Sequence, residues 1–288
     1  MPALVTPFDR NGNVSEGALR ELAAYHLTKK SAGFYLCGTT GQGLWMSTAE
    51  RKRILEVVLD AVRDAVPVIA HVGCVAPAEA AELAVHAAKV GASGISSIIP
   101  PTYATLESIV AYFDMLSKHA PETPLLPYFM GTPLPPMQIM EGLSKTVTLA
   151  GTKYTGPNMY EMRKIIEIGS EPWSVFSGMD EQCVFGAMCG ADGAIGSSIN
   201  VMPGIYKEIR RLVAEDRQGE AYALQERANG IITVLISYGY PGALKAAHGI
   251  LGFDCGDPRL PEMPFDSSKT DNLKADLNAA GFEEISSM

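Results

Sequence analysis

The sequence predicts a closed α/β barrel of eight parallel strands, each followed by a helix, and three observations carry that prediction. Short apolar runs recur through the first two thirds of the chain. They are near-continuous rather than alternating, as in strands buried on both faces. Helical patterns fill the intervals, and 288 residues accommodate one such barrel, roughly 200–250 residues, with a small appendage. The eight candidate strands are Ala3–Pro7, Gly33–Cys37, Pro67–Val72, Gly94–Pro100, Pro124–Phe129, Val147–Lys153, Trp173–Ser177 and Asp192–Ser197. Ser47-Thr48-Ala49-Glu50 is a capping box that opens a helix with Ile54, Val57, Val58 and Ala61 on one face. Pro77 starts the next helix, Ala78–Val90, which Gly91 ends. Eight such units with right-handed crossovers favour a (β/α)8 TIM barrel over an open doubly wound sheet. After residue 203 only helices follow, at Ile205–Ala214, Ala221–Ile236, Pro241–Leu251 and Asn272–Ala280, with Pro258–Pro264 as a loop. The chain therefore divides into a barrel over residues 1–214 and a C-terminal helical layer over 215–288.

Composition narrows the function. Apolar residues make up 47% of the chain, which excludes disorder, and a charged fraction of 19% suggests that partners cover much of the surface. A formal net charge of −9 argues against nucleic acid and anionic membranes. No apolar run approaches the roughly 20 residues that span a bilayer, and the opening MPALVTPFDRNG lacks a basic leader. The five cysteines (37, 74, 183, 189 and 255) are scattered, with no C-x-x-C. They read as reduced thiols of a cytoplasmic protein rather than a disulfide framework or zinc site.

In a barrel of this kind the active face is built from loops after the C-terminal ends of the strands. Gly38-Thr39-Thr40-Gly41-Gln42-Gly43 has the glycine spacing of a phosphate-binding loop, but Leu44-Trp45 stand where Lys-Ser/Thr are needed. The five histidines form no H-x-H or H-E-x-x-H, and no G-x-S-x-G occurs, so neither a metal site nor a serine nucleophile is expected. Lys153 remains. It ends the sixth candidate strand and shares its face with Val147, Leu149 and Gly151. Pointing into the barrel mouth, above the space left by Gly151, a desolvated amine becomes the neutral nucleophile that condenses with a carbonyl. A salt bridge at the barrel rim is the alternative. Tyr128 ends the neighbouring strand, within reach of the same substrate as a proton shuttle, or else is a core aromatic. The glycine-rich loop after the second strand offers amides and the Thr39 and Thr40 hydroxyls as a carboxylate cradle, or is merely a tight turn. Asp180-Glu181 complement a helix N-terminus or serve the site, and Ser197-Ser198 are turn residues or ligands.

Taken together, Gly38-Thr39-Thr40-Gly41, Gly151-Thr152-Lys153-Tyr154-Thr155, Gly178-Met179-Asp180-Glu181-Gln182 and Gly190-Ala191-Asp192-Gly193-Ala194-Ile195-Gly196-Ser197 resemble the dihydrodipicolinate synthase / N-acetylneuraminate lyase family. The resemblance extends from Ala3-Leu4-Val5-Thr6-Pro7-Phe8 to Gly242-Ala243-Leu244-Lys245-Ala246-Ala247. The Gly-x-Asp-Glu and Lys-x-Thr motifs resemble the N-acetylneuraminate lyase branch. It implies a class I aldolase, a carbon–carbon lyase that reversibly cleaves N-acetylneuraminate to pyruvate and N-acetylmannosamine through a Schiff base on Lys153, without metal or organic cofactor. Tyr128 would be the catalytic tyrosine. Thr39 and Thr40 would hold the keto-acid carboxylate, and Thr155, Gly178, Asp180, Glu181 and Ser197 the hydroxyl chain of the sugar. Tyr103 would reach into a neighbour's site in a homotetramer, a dimer of dimers. Two alternatives are an aldolase for another 2-keto-3-deoxy sugar acid and a pyruvate-binding barrel without turnover. The sequence departs from the family at Gly41-Gln42, where Gly-Glu is usual, and at Tyr128-Phe129-Met130-Gly131-Thr132-Pro133, where Tyr-x-x-Pro is usual. The latter stretch lacks the arginine that synthase members use for a second carboxylate, which argues against dihydrodipicolinate synthesis.

Overall fold

The computed structural model describes residues 1–168 and 173–288. Seven strands, β1 (Phe34–Leu36), β2 (Val68–His71), β3 (Gly94–Ile98), β4 (Leu125–Phe129), β5 (Gly151–Tyr154), β6 (Ser174–Ser177) and β7 (Gly193–Ala194), pair in parallel in chain order. The ring is closed by the segment Pro2–Leu4. Ala3 N–H donates to Gly196 O at 2.9 Å, Tyr35 N–H to Pro2 O at 3.0 Å, and Leu4 N–H to Tyr35 O at 2.9 Å. The result is the expected TIM barrel.

Every strand is shorter than its apolar run, and three depart most from expectation. Ala3–Pro7 contributes isolated bridges rather than a ladder. The Val5 amide is taken by the Asn200 side chain at 3.1 Å, and Pro7 has no N–H to give. In place of a strand from Val147, β5 begins at Gly151, because Val147 packs into the outer core while Thr148 is exposed. Asp192–Ser197 yields two strand residues before a helical turn starts at Ser198.

Helices α1 (Glu16–Thr28), α2 (Thr48–Val62), α3 (Pro77–Lys89), α4 (Leu106–His119), α5 (Pro136–Leu143), α6 (Met159–Ile168), α7 (Cys183–Met188) and α8 (Pro203–Ala214) accompany the strands. The capping box at α2 forms as the sequence predicts, with Ser47 Oγ accepting from Glu50 N–H and the Glu50 carboxylate from Ser47 N–H. Beyond the barrel lie α9 (Gln218–Ser237), α10 (Tyr240–Ile250), α11 (Thr270–Ala279) and α12 (Phe282–Ser287). Among the described residues no helix is long and apolar enough to cross a membrane.

The apolar residues form two cores. One lies between strands and helices; the other fills the barrel with Ala3, Tyr35, Ile69, Ile98, Tyr128 and Ile195. Interior positions of a small barrel are filled in this way by layers of side chains.

Closure depends on one buried side chain. Asn200 accepts from Val5 N–H and donates to Ala3 O at 2.7 Å and Ser197 O at 2.8 Å, joining the first segment to the last loop. Asn200→Ala is expected to cost on the order of 2–4 kcal/mol, because it strands buried backbone groups as well as losing hydrogen bonds. Urea unfolding of the variant beside the wild type measures it.

Candidate active site

Register sets the centre of the site. Tyr128 on β4 is the direct parallel partner of Lys153 on β5. Both side chains turn into the barrel, where Lys153 Nζ lies 4.1 Å from the centroid of the Tyr128 ring and 4.6 Å from that of Tyr35 on β1. Lys153 is 4% exposed, yet among the described residues no carboxylate stands within ion-pair distance. The rim salt bridge is therefore absent, and the amine is held by two aromatic faces instead. Such faces attract a cation by about 0.5–2 kcal/mol each without supplying a counter-charge. No motif marks Tyr35; its position, three residues before the glycine-rich loop on an inward-facing strand register, is the signal that places it. Its hydroxyl donates to Ser96 Oγ at 3.0 Å, fixing the ring. The Tyr128 hydroxyl donates to Met130 Sδ at 3.1 Å.

Lys153 opens onto a cavity of about 280 Å³ at the C-terminal mouth of the barrel. Thr39, Thr40, Tyr128, Thr155, Gly178, Asp180, Glu181 and Ser197 line it as well. Of the residues the resemblance assigns to the site, Tyr103 stands apart from this cavity. It packs on Tyr112 with ring centroids 4.9 Å apart, in the loop after β3.

Two glycines of the Gly38–Gly43 loop, Gly41 and Gly43, admit neighbouring main chain, as the tight-turn reading requires. A Cβ at Gly43 would lie 1.8 Å from Cys37 O, and one at Gly41 would lie 2.8 Å from Leu4 O. The turn is tight enough to put Cys37 and Gln42 at φ values of 57° and 58°. It presents Thr39 and Thr40 on the cavity, while the Thr40 and Gly41 amides have no main-chain partner. Gly151 likewise serves strand pairing rather than making room for Lys153, since a Cβ there would lie 1.8 Å from Ser174 O. Gly178 does make room: a Cβ would lie 1.8 Å from Thr155 Oγ1 and 3.1 Å from Lys153 Cε. Thr155 Oγ1 is buried without a partner.

Asp180 is 4% exposed and does not cap its own helix. Its Oδ2 accepts from Ser198 N–H at 2.8 Å and Ser198 Oγ at 2.6 Å, and Ser198 Oγ meets the Tyr206 hydroxyl at 2.6 Å. Oδ1 is buried without a partner beside Gly196, where a Cβ would lie 1.5 Å away. Burial raises the carboxyl pKa to about 6, against the pull of the two Ser198 donors.

The C-terminal layer supplies residues that no motif in the sequence marked. Gln225 of α9 donates to Asp180 O at 2.9 Å, and Asn229 donates to Glu181 O at 3.2 Å. The Tyr240 hydroxyl, at the start of α10, bonds Ser197 Oγ at 2.8 Å. Lys245 of α10 is buried on the cavity wall and donates to Thr6 O at 2.8 Å, Cys255 O at 3.1 Å and Asp257 O at 3.1 Å. Burial lowers its pKa to about 8. Its apolar neighbours in sequence made it read as part of an ordinary helix.

A parallel barrel with a buried lysine at its C-terminal mouth, two tyrosine rings against the amine and hydroxyls around it defines a barrel with an amine at the centre of its cavity. The chain belongs to the dihydrodipicolinate synthetase family, whose model matches residues 1–280. Solved structures agree in fold. The Proteus mirabilis N-acetylneuraminate lyase superposes with a TM-score of 0.93 at 28% identity, over 98% of this chain and 97% of that one. A catalytic lysine mutant of the Ruminococcus gnavus sialic acid aldolase gives 0.93 at 26%, over 99% and 96%. The dihydrodipicolinate synthase of Aquifex aeolicus gives 0.89 at 26%, over 97% of each chain. The chain is accordingly a member of a lyase family with an aldolase fold.

Asp180 makes stability depend on pH in a defined direction. A carboxyl with a raised folded pKa binds more protons folded than unfolded. Its contribution is complete below pH 3.8 and disappears as pH rises through about 6. The span corresponds to about 3 kcal/mol. Denaturant unfolding between pH 4 and 7 is expected to show this decline in the wild type, and Asp180→Asn is expected to flatten it.

Proposed function

We propose that the protein is a class I aldolase that cleaves a 2-keto-3-deoxy sugar acid, with N-acetylneuraminate as the leading substrate, into pyruvate and an aldehyde (N-acetylmannosamine for that substrate). One observation carries the reading: a buried lysine amine without a carboxylate partner, caged by Tyr35 and Tyr128, opens onto a cavity large enough for a small ligand. The Thr39 and Thr40 hydroxyls and the adjoining amides bind the carboxylate of the keto acid, which sets its C2 beside Lys153.

The unprotonated amine of Lys153 adds to C2, and loss of water leaves a protonated imine. The C4 hydroxyl gives its proton to Tyr128, which relays it to the substrate carboxylate. The C3–C4 bond breaks, its electron pair passes to the imine as an enamine, and the aldehyde leaves. Protonation at C3 and attack of water on C2 release pyruvate and restore the amine. Every step uses groups of this chain, the substrate and water. Thr155, Gly178, Asp180, Glu181 and Ser197 surround the hydroxyl chain of the sugar, and the Asp180–Glu181 turn and Ser197 are held from behind by α9 and α10. We place the enzyme in the cytoplasm as a homotetramer in which Tyr103, remote from its own chain's cavity, serves a neighbouring one.

A shorter 2-keto-3-deoxy sugar acid is the second reading. The loop after Tyr128 favours it: Met130 lines the cavity beside the tyrosine and takes its hydrogen bond, placing an apolar side chain on the cavity wall.

Borohydride with pyruvate is expected to add a stable mass to the peptide holding Lys153. Mass on another lysine, or none, sinks the aldolase reading. Lys153→Arg is expected to lose essentially all cleavage. Tyr128→Phe is expected to lower kcat by about 10²–10⁴, as removal of a general acid–base group does. Rates of aldehyde release from sugar acids of six to nine carbons separate the two substrate readings.

A further inference from the structure

The segment Pro258–Glu262 crosses the cavity mouth between α10 and α11 without helix or strand, and both of its end residues line the cavity. Irregular as it is, side chains anchor it at Arg259. Gln42 donates through Nε2 to Arg259 O at 2.9 Å and accepts from Arg259 N–H at 3.2 Å. The Arg259 guanidinium donates to Gly12 O at 2.6 Å and to both Glu50 oxygens, and lies 4.3 Å over the Phe8 ring. Lys245 grips the root of the segment through Cys255 O and Asp257 O. Gln42 is buried, with a left-handed backbone that aims its amide at this strap. It also stands where the resemblance leads one to expect glutamate. A carboxylate there could accept from Arg259 N–H but could not donate to Arg259 O, and would set its own oxygen against that carbonyl.

The strap delivers Glu262, half-buried, to the cavity that holds Lys153. Among the described residues its carboxylate has no ion-pair partner. Asp180 and Glu181 line the same cavity, and Asp180 Oδ1 is buried without a partner. The cations on the lining are Lys153 and Lys245. Lys245 gives all three of its N–H groups to main-chain carbonyls, and Lys153 is committed to the keto acid. Away from Lys153 the cavity thus offers acceptors and negative charge, with no cation free to receive an anion.

We infer that this strap is the specificity wall for the aldehyde half of the substrate. Glu262 is its specificity-determining residue and Gln42 its positioning residue. The wall favours an aldehyde whose far end bears hydroxyl or ammonium groups and rejects one that bears a carboxylate or phosphate there. A carboxylate accepts hydrogen bonds from hydroxyls, and stronger ones from an ammonium. It penalises a second anion, and discrimination of this kind rests on such repulsion as much as on attraction. The inference rests on the aldolase reading above.

The test uses the full-length protein in the condensation direction, with pyruvate and three aldehydes that differ only at C6: 6-amino-6-deoxymannose, mannose and mannuronate. For the wild type, kcat/KM is expected to be at least 10-fold lower for mannuronate than for mannose, with the amino sugar at or above mannose. Glu262→Gln is expected to shrink the mannose-to-mannuronate gap at least 5-fold. Gln42→Glu is expected to raise KM for every aldehyde more than KM for pyruvate, which a general loss of stability would not do selectively. A gap that Glu262→Gln leaves unmoved, or a wild type that prefers mannuronate, overturns the inference. Borohydride trapping of pyruvate by the wild type, run in parallel, keeps the two levels apart. Failure to trap on Lys153 removes the aldolase reading itself. Trapping with an unmoved gap, or with none of the aldehydes accepted, removes the specificity wall alone.

Discussion

The site depends on how one amine is kept. Lys153 is buried in a barrel interior where, among the described residues, no carboxylate pairs with it and the faces of Tyr35 and Tyr128 stand against it. A carboxylate would have satisfied the charge and tied up the nitrogen, whereas aromatic faces accommodate a cation without supplying a counter-charge. This explains why the inner barrel layer, otherwise aliphatic at Ala3, Ile69, Ile98 and Ile195, carries tyrosines on two of its strands.

Around that centre the barrel and the C-terminal helices divide the work. The strands set positions through register, most plainly in the pairing of Tyr128 with Lys153. The helical layer sets orientations. Gln225 and Asn229 hold the Asp180–Glu181 turn by its carbonyls, and Tyr240 holds Ser197. Lys245, with a lowered pKa from burial, is retained because three carbonyls replace the water it has lost. The layer is therefore part of the site and not an appendage to it.

Glycine around the site serves two different ends. At Gly43, Gly41 and Gly151 the missing Cβ admits a neighbouring main-chain atom, and only at Gly178 does it clear space beside Lys153 and Thr155. A glycine-rich loop read from sequence carries no indication of which of these uses applies, because both require only the absence of a side chain.

The sequence by itself determined the architecture, since near-continuous apolar runs separated by helical periodicity admit few folds. It also drew attention to Lys153, because a lone cation ending such a run has few places to point. The capping box at Ser47 and Glu50 and the helices near Ala78–Val90 and Ala221–Ile236 were legible for the same local reasons. Tertiary structure alone decided what surrounds the lysine. The ring of Tyr35, the absence of a counter-ion, the bonds of Asp180 to Ser198 and the clasp of Gln42 on Arg259 join residues up to 217 positions apart. No periodicity or spacing records contacts of that range; they exist only once the ring of strands has closed and brought both ends of the chain to one mouth.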